Sequence, residues 1–289
     1  MTHATTLQLG HSPDPDDAFM FYALAQDPPL IETHGWRFAH VLQDIQTLSH
    51  RAMAGDLEIT AISMATYPLV AEKYALTSCG ASMGDGYGPR LVTREPLFSA
   101  DDLRGKTIAV PGKLTSSFLA LQLRLGADGE TFTSHVVEFD EIPQYVADGH
   151  ADAGLLIHEG QLTYPSFGLH LVEDLGVWWG QKEEGLPLPL GGNCIRKNLG
   201  KEAMQQVTDV LAGSIRFSLE NREKAVAYSL QFGRGLDHAL ADEFVGMYVN
   251  HWTVDYGERG REAIRRFLKQ GADHGYIPAC PDLEFVTAG

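Results

Sequence analysis

Between residues 7 and 192 the chain alternates short apolar runs with segments whose apolar residues recur at helical spacing. Leu7-Gln8-Leu9-Gly10 leads into a helix from about Asp16, and Leu57 to Ile62 into one from about Ala65 to Lys73. Lys106 to Val110 leads into a helix from Thr115 to Leu125, and Ala153 to Ile157 forms a fourth strand. Strands alternating with helices point to βαβ units and a mainly parallel sheet, so the expected class is α/β. Beyond Lys201 the pattern becomes nearly continuous helix over 202–219, 223–232, 237–250 and 259–271, with no strand evident and no internal repeat.

Two Gly/Pro-rich stretches interrupt this pattern, Gly84-Asp85-Gly86-Tyr87-Gly88-Pro89, followed by a strand from Arg90 to Thr93, and Gly185-Leu186-Pro187-Leu188-Pro189-Leu190-Gly191-Gly192. Both read as hinges rather than element interiors. A lobe inserted between them, with the chain then returning, makes a two-lobed clamp that holds its ligand between the lobes. The expected division is 1–94 with 191–289 in one lobe and 95–190 in the other. At 289 residues each lobe is large enough for its own core.

Leu155 to Ile157 is apolar without polar alternation, as suits a strand covered on both faces. Its carboxyl end delivers His158 and Glu159 to the place where open α/β sheets hold ligands. Imidazole is the side chain best suited to accept a proton near neutral pH, so His158 is a candidate general base. Adjacent residues at a strand end point apart, and Glu159 is a candidate to orient the histidine or bind substrate. Other strand ends bring further polar groups: Ser12 after the first, Ser63 after Ile62, and Thr115-Ser116-Ser117 after the turn Pro111-Gly112. The last of these joins three hydroxyls to a helix N-terminus, which suits a small anion such as a carboxylate, although the same residues also make an ordinary cap. The loop Ser12-Pro13-Asp14-Pro15-Asp16-Asp17 reads as a helix start with Asp14 as N-cap and Pro15 at the first helical position; its acids make it a poorer anion site.

Charge and composition exclude several classes. With 22 basic against 38 acidic residues the net charge is −16, which disfavours nucleic acid. No segment has the length of a membrane span and the first ten residues do not form a secretory signal, so no membrane partner and a cytoplasmic location are expected. Cys79, Cys194 and Cys280 are odd in number and widely spaced, consistent with buried free thiols. The 12 histidines form no HExxH or HxH pair, and His34, His40 and His50 lie in an apparently exposed region, so no metal is expected. Gly84-x-Gly86-x-Gly88 lacks the spacing and following helix of a dinucleotide fingerprint, and no cofactor is expected. Gly80-Ala81-Ser82-Met83-Gly84 matches the nucleophile-elbow pattern but is followed by a Gly-rich stretch instead of a helix. Trp178-Trp179 read as packing residues rather than a stacking platform.

Several of these segments together resemble the 1,4-dihydroxy-6-naphthoate synthase family of menaquinone biosynthesis by the futalosine route. They are Val110-Pro111-Gly112 with Thr115-Ser116-Ser117, Gly154 to Glu159 with Thr163-Tyr164-Pro165, Asp174-Leu175-Gly176 with Trp178-Trp179, and Gly185 to Gly191. The likeness implies a fold like the type II periplasmic binding proteins, with two α/β lobes, a ligand cleft between them and a helical C-terminal region. It implies a carbon–carbon lyase reaction in which cyclic dehypoxanthinyl futalosine loses dihydroxyacetone and becomes 1,4-dihydroxy-6-naphthoate. By the same resemblance His158 matches the proton acceptor, Ala61-Ile62-Ser63 and Ser116-Ser117 match substrate contacts, and the partner is a small aryl carboxylate. Two departures stand out. The usual Ser-Pro-Cys-Pro-Asn-Asp loop has acids at Asp14 and Asp16, and Ala61 stands where the family has a lysine. The alternatives are a non-catalytic solute-binding or sensor protein of the same fold, and the sister chorismate dehydratase, against which Ile157-His158-Glu159 argues.

Overall fold

The computed structural model describes residues 5–233, 237–279 and 281–289. The chain divides into two compact units: 1–83 with 191–261 and 281–289, and 84–190 with 262–280. In chain order the first part of unit 1 comprises β1 (Thr5–His11), α1 (Pro15–Met20), β2 (Trp36–Leu42), α2 (Ile45–Ala54), β3 (Ile59–Ser63), α3 (Tyr67–Val70), β4 (Tyr74–Thr77) and β5 (Ser82–Gly84). Unit 2 continues with β6 (Arg90–Thr93), β7 (Thr107–Val110), α4 (Ser116–Leu125), β8 (Thr133–Val136), α5 (Ile142–Ala147), β9 (Ala153–Leu156), α6 (Gly160–Thr163), β10 (His170–Asp174) and α7 (Leu175–Lys182). The remainder is β11 (Leu188–Arg196), α8 (Lys201–Glu220), α9 (Arg222–Ser229), α10 (His238–Tyr248), α11 (His251–Val254), α12 (Gly257–Asp273) and β12 (Phe285–Val286). The chain passes between units within β5, β11 and α12, and a fourth time before residue 281.

Both sheets are mixed rather than mainly parallel. In unit 1 the order is β12-β4-β11-β3-β1-β2, with β5 pairing β11. Here β1 runs parallel to β2 and β3, while β11 returns antiparallel between β3 and β4. In unit 2 the order is β10-β6-β9-β7-β8. The pairs β7–β8 and β7–β9 are parallel, whereas β6 is antiparallel to both β9 and β10.

Several sequence expectations need correction. The second Gly/Pro-rich stretch is not a break throughout, because Leu188 to Gly192 form the start of β11, hydrogen-bonded against the unit 1 strands further along. The helix expected over 65–73 contracts to a 3-10 turn and the single turn α3, with Pro68 inside it. The region holding His40 contains strand β2, and His40 is half-buried. Strand β6, which falls within the expected lobe of 1–94 with 191–289, pairs wholly within the sheet of unit 2. The second half of α12 likewise packs in unit 2, where the Phe267 ring meets Trp179 edge-on at 5.4 Å. Trp179 is fully buried and its indole N–H donates to the Pro187 carbonyl at 3.1 Å, which accounts for it as a packing residue.

Each unit has the core its pattern demands. Every residue of β9 is buried, and α5 lies directly over it. That approach requires Gly154: a Cβ there would stand 2.8 Å from Ile142 Cγ2 and 2.9 Å from Val146 Cγ2. Val92, Ala109, Ile142, Val146 and Leu156 close one side of the sheet of unit 2. Among the described residues no helix is long and apolar enough to cross a membrane.

Candidate active site

In unit 2 the neighbouring parallel strands β7 and β9 end on the same side of the sheet. The first leads to Thr115–Ser117 and the second to His158, so the sheet brings these candidates to one edge. His158 is half-buried, has φ +51°, and meets the Phe139 ring edge-on at 4.8 Å. A left-handed backbone is unusual for a residue with a Cβ and marks a place where the surroundings dictate conformation. Glu159 is buried, and its carbonyl accepts the Leu162 N–H at 2.9 Å and the Thr163 N–H at 3.0 Å, which starts α6.

Thr115, Ser116 and Ser117 are all buried at the start of α4. Thr115 is the N-cap, its Oγ1 accepting the Phe118 N–H at 3.2 Å. The same hydroxyl donates to the Gly112 carbonyl at 2.7 Å, so Ser117 must be the donor in its 2.9 Å contact with Thr115. Ser116 Oγ donates to the Leu190 carbonyl at 2.6 Å. All three hydroxyl protons therefore point at protein oxygens. What α4 offers an anion is its first-turn N–H groups and the positive end of its dipole, rather than the hydroxyl donors expected from the sequence.

In unit 1 the parallel strands β1 and β3 likewise end together, placing Ser12 and Ser63 on neighbouring strand ends. Ser63 N–H approaches Ser49 Oγ at 3.4 Å. Ile62 is wholly buried, and Ala61 packs in a cluster with Leu48 and Leu57; their side chains belong to the core. Asp14 is the N-cap of α1 by backbone geometry, yet its carboxylate does not cap the helix. Instead it accepts the Ser12 hydroxyl, while Asp17 Oδ2 accepts the Ser12 N–H at 2.6 Å. Burial is the main force pushing the Asp17 carboxyl up to about 7; the Ser12 N–H opposes it and the Asp14 charge adds to it.

Sequence reasoning missed a histidine pair beside this loop. His11 Nδ1 contacts the Ser12 carbonyl at 3.0 Å, and a carbonyl only accepts, so Nδ1 carries the hydrogen. Nε2 of the neutral ring then accepts from His40 Nδ1 at 2.9 Å. Burial, and secondarily His40, lowers the His11 pKa to about 3, and burial lowers that of His40. A signal was present: Leu7, Leu9 and His11 alternate on the buried face of β1.

The remaining sequence candidates have structural places. Ser82 lies in β5 with no helix after it. Cys79 and Cys194 are buried, and burial pushes both thiols up, Cys79 to about 12, away from reactive thiolate chemistry. Cys280 lies outside the described residues.

Two mixed sheets flanked by helices give this chain a fold like that of the periplasmic binding proteins. The alkanesulfonate-binding protein of Xanthomonas axonopodis pv. citri bound to MOPS superposes with a TM-score of 0.69 at 15% identity, with all of both chains covered. The generic periplasmic-binding-protein fold of a Candida albicans protein superposes at 0.65 and 12% identity, over 96% of this chain and 98% of that one.

The family is narrower than the fold. Residues 7–273 match the family described as menaquinone biosynthesis, and the chain belongs to it. The 1,4-dihydroxy-6-naphthoate synthase of Streptomyces coelicolor is 37% identical over 286 residues, 96% of each chain. That of Thermus thermophilus is 35% identical over 284 residues, 97% of this chain and 99% of the relative. A solved protein of Archaeoglobus fulgidus is 41% identical with a TM-score of 0.87, over 95% of this chain and 100% of that one.

Proposed function

We propose that this protein is a carbon–carbon lyase that converts cyclic dehypoxanthinyl futalosine to 1,4-dihydroxy-6-naphthoate with release of dihydroxyacetone, without a cofactor. The observation that carries this reading is that the neighbouring parallel strands β7 and β9 lead at their carboxyl ends to the start of α4 and to His158, whose backbone is left-handed. Family membership supports this choice of substrate. His158 takes a proton from the bound cyclic substrate, and the electron pair released drives a retro-aldol-like cleavage of the bond to the three-carbon unit. The first-turn N–H groups of α4 hold the aryl carboxylate, with Thr115, Ser116 and Ser117 fixing that turn. Ala61, Ile62 and Ser63 of unit 1 remain candidate substrate contacts by the family resemblance, with Ser12, Asp14 and Glu159 as further candidates.

Purified protein supplied with the cyclic substrate should yield naphthoate and dihydroxyacetone, and His158→Asn should lower kcat about 10²–10⁴-fold, the usual contribution of a general base. Folded protein that gives no product overturns the assignment. Tight binding of the substrate without turnover would instead favour a sensor of the same fold, and dehydration of chorismate would favour the sister enzyme.

A further inference from the structure

The left-handed conformation of His158 is unfavourable for an L-residue and persists only where neighbouring groups dictate it. The turn that follows is short, since α6 spans only Gly160–Thr163. The Gln161 N–H donates back to the His158 carbonyl at 3.1 Å, so any movement of Gln161 moves the histidine backbone. Gln161 is itself held from outside: its carbonyl accepts from Arg90 Nη1. Arg90 begins β6, where it pairs with Leu156, two residues before His158. Its Nε meets Asp174 Oδ2 at 3.4 Å, and its guanidinium lies 5.8 Å from the centroid of the Tyr164 ring. Asp174 in turn accepts the Gly176 and Val177 N–H groups at 2.9 and 3.1 Å, which fixes it as the N-cap of α7.

We propose that Arg90 is a positioning residue for the reaction, acting through the Gln161 carbonyl to hold His158 in its productive conformation. The proposal rests on the reading of His158 as the proton acceptor. A planar guanidinium serves Gln161 and Asp174 at once in a fixed fork, which a lysine ammonium does not reproduce. Displacing a reacting group by an ångström lowers turnover by up to about 10²-fold. Arg90→Gln should therefore lower kcat about 10- to 100-fold with KM within about twofold, and Arg90→Lys should fall between that variant and wild type.

The decisive experiment is a double-mutant cycle with His158→Asn, accompanied by NMR of the His158 backbone. If Arg90 acts through His158, Arg90→Gln lowers the residual rate of the His158→Asn protein little or not at all. The His158 amide and Cα resonances should move in Arg90→Gln and less in Arg90→Lys. Equal loss of rate in both backgrounds, or unmoved His158 resonances in folded Arg90→Gln, overturns the proposal. If His158→Asn retains full turnover, the general-base reading falls and this role of Arg90 in catalysis falls with it. A resonance shift in Arg90→Gln would then show that the structural tether itself is real, which separates the two failures.

Discussion

Replacing Asp17 by asparagine should stabilise the protein at neutral pH and change little at pH 4. Burial holds the Asp17 carboxyl at about 7 in the folded chain, against an ordinary value of 3.8. Between those values the folded state keeps a proton that the unfolded chain has released, so this residue's contribution makes stability fall as pH rises, by about 1.4 kcal/mol per pH unit. Integrated over that interval, ionisable Asp17 costs about 4 kcal/mol at pH 7.5 relative to a permanently neutral side chain. Asparagine retains an oxygen to accept the Ser12 N–H, which lies 2.6 Å from Asp17 Oδ2, so the loop keeps its anchor. His11 has the opposite sign: the unfolded residue takes up a proton below 6.5, which the folded ring refuses down to about 3, so its contribution rises with pH. From about pH 4 to 6.5 the Asp17 slope opposes those of His11 and His40 in the wild type, and the variant lacks only the Asp17 contribution. Guanidinium unfolding midpoints of both proteins between pH 4 and 8 measure the offset. A variant no more stable than wild type at pH 7.5, or an offset independent of pH, refutes the reasoning.

Two further outcomes follow from contacts described above. Thr115→Ala removes both the acceptor for the Phe118 N–H and the link to Gly112; it should cost about 1 kcal/mol and raise KM severalfold, and Thr115→Ser should restore both, as read by thermal melting and steady-state kinetics. Trp179→Ala removes a fully buried indole packed edge-on against Phe267 and should cost about 3–5 kcal/mol in chemical denaturation; a loss below about 1 kcal/mol would show that this packing carries little of unit 2.

The parts of the site that were legible in the sequence are those where local chemistry and tertiary context agree. Ala153 to Leu156 is apolar at every position because both faces are covered, and Thr115 caps α4 because its hydroxyl is the nearest acceptor for the Phe118 N–H. The misses have the opposite character. Strand β2 exposes alternate residues, and its half-buried face of Trp36, Phe38 and His40 left too weak a period beside charged neighbours. Pro189, Gly191 and Gly192 are local punctuation, yet Gly191 and Gly192 are held in register by Ser63 and Ile62. Nothing in 257–273 signals a change of unit, because a continuous helix carries no mark of which core each turn serves. The role of Arg90 is equally silent in sequence, since Gln161 and Asp174 lie 71 and 84 positions away.

The way α12 and the tail are shared has a consequence for biosynthesis on the ribosome. Unit 1 lacks β12, paired to β4, until residues 285 and 286 are made, and unit 2 lacks Phe267 until the second half of α12 is made. A nascent chain halted before residue 262 thus exposes Trp179 without its partner ring and the β4 edge without its neighbour. Domain-by-domain folding during synthesis is the usual protection of a chain of this size. Here the segment from 262 to 286 completes both units, so neither core closes before that segment is made.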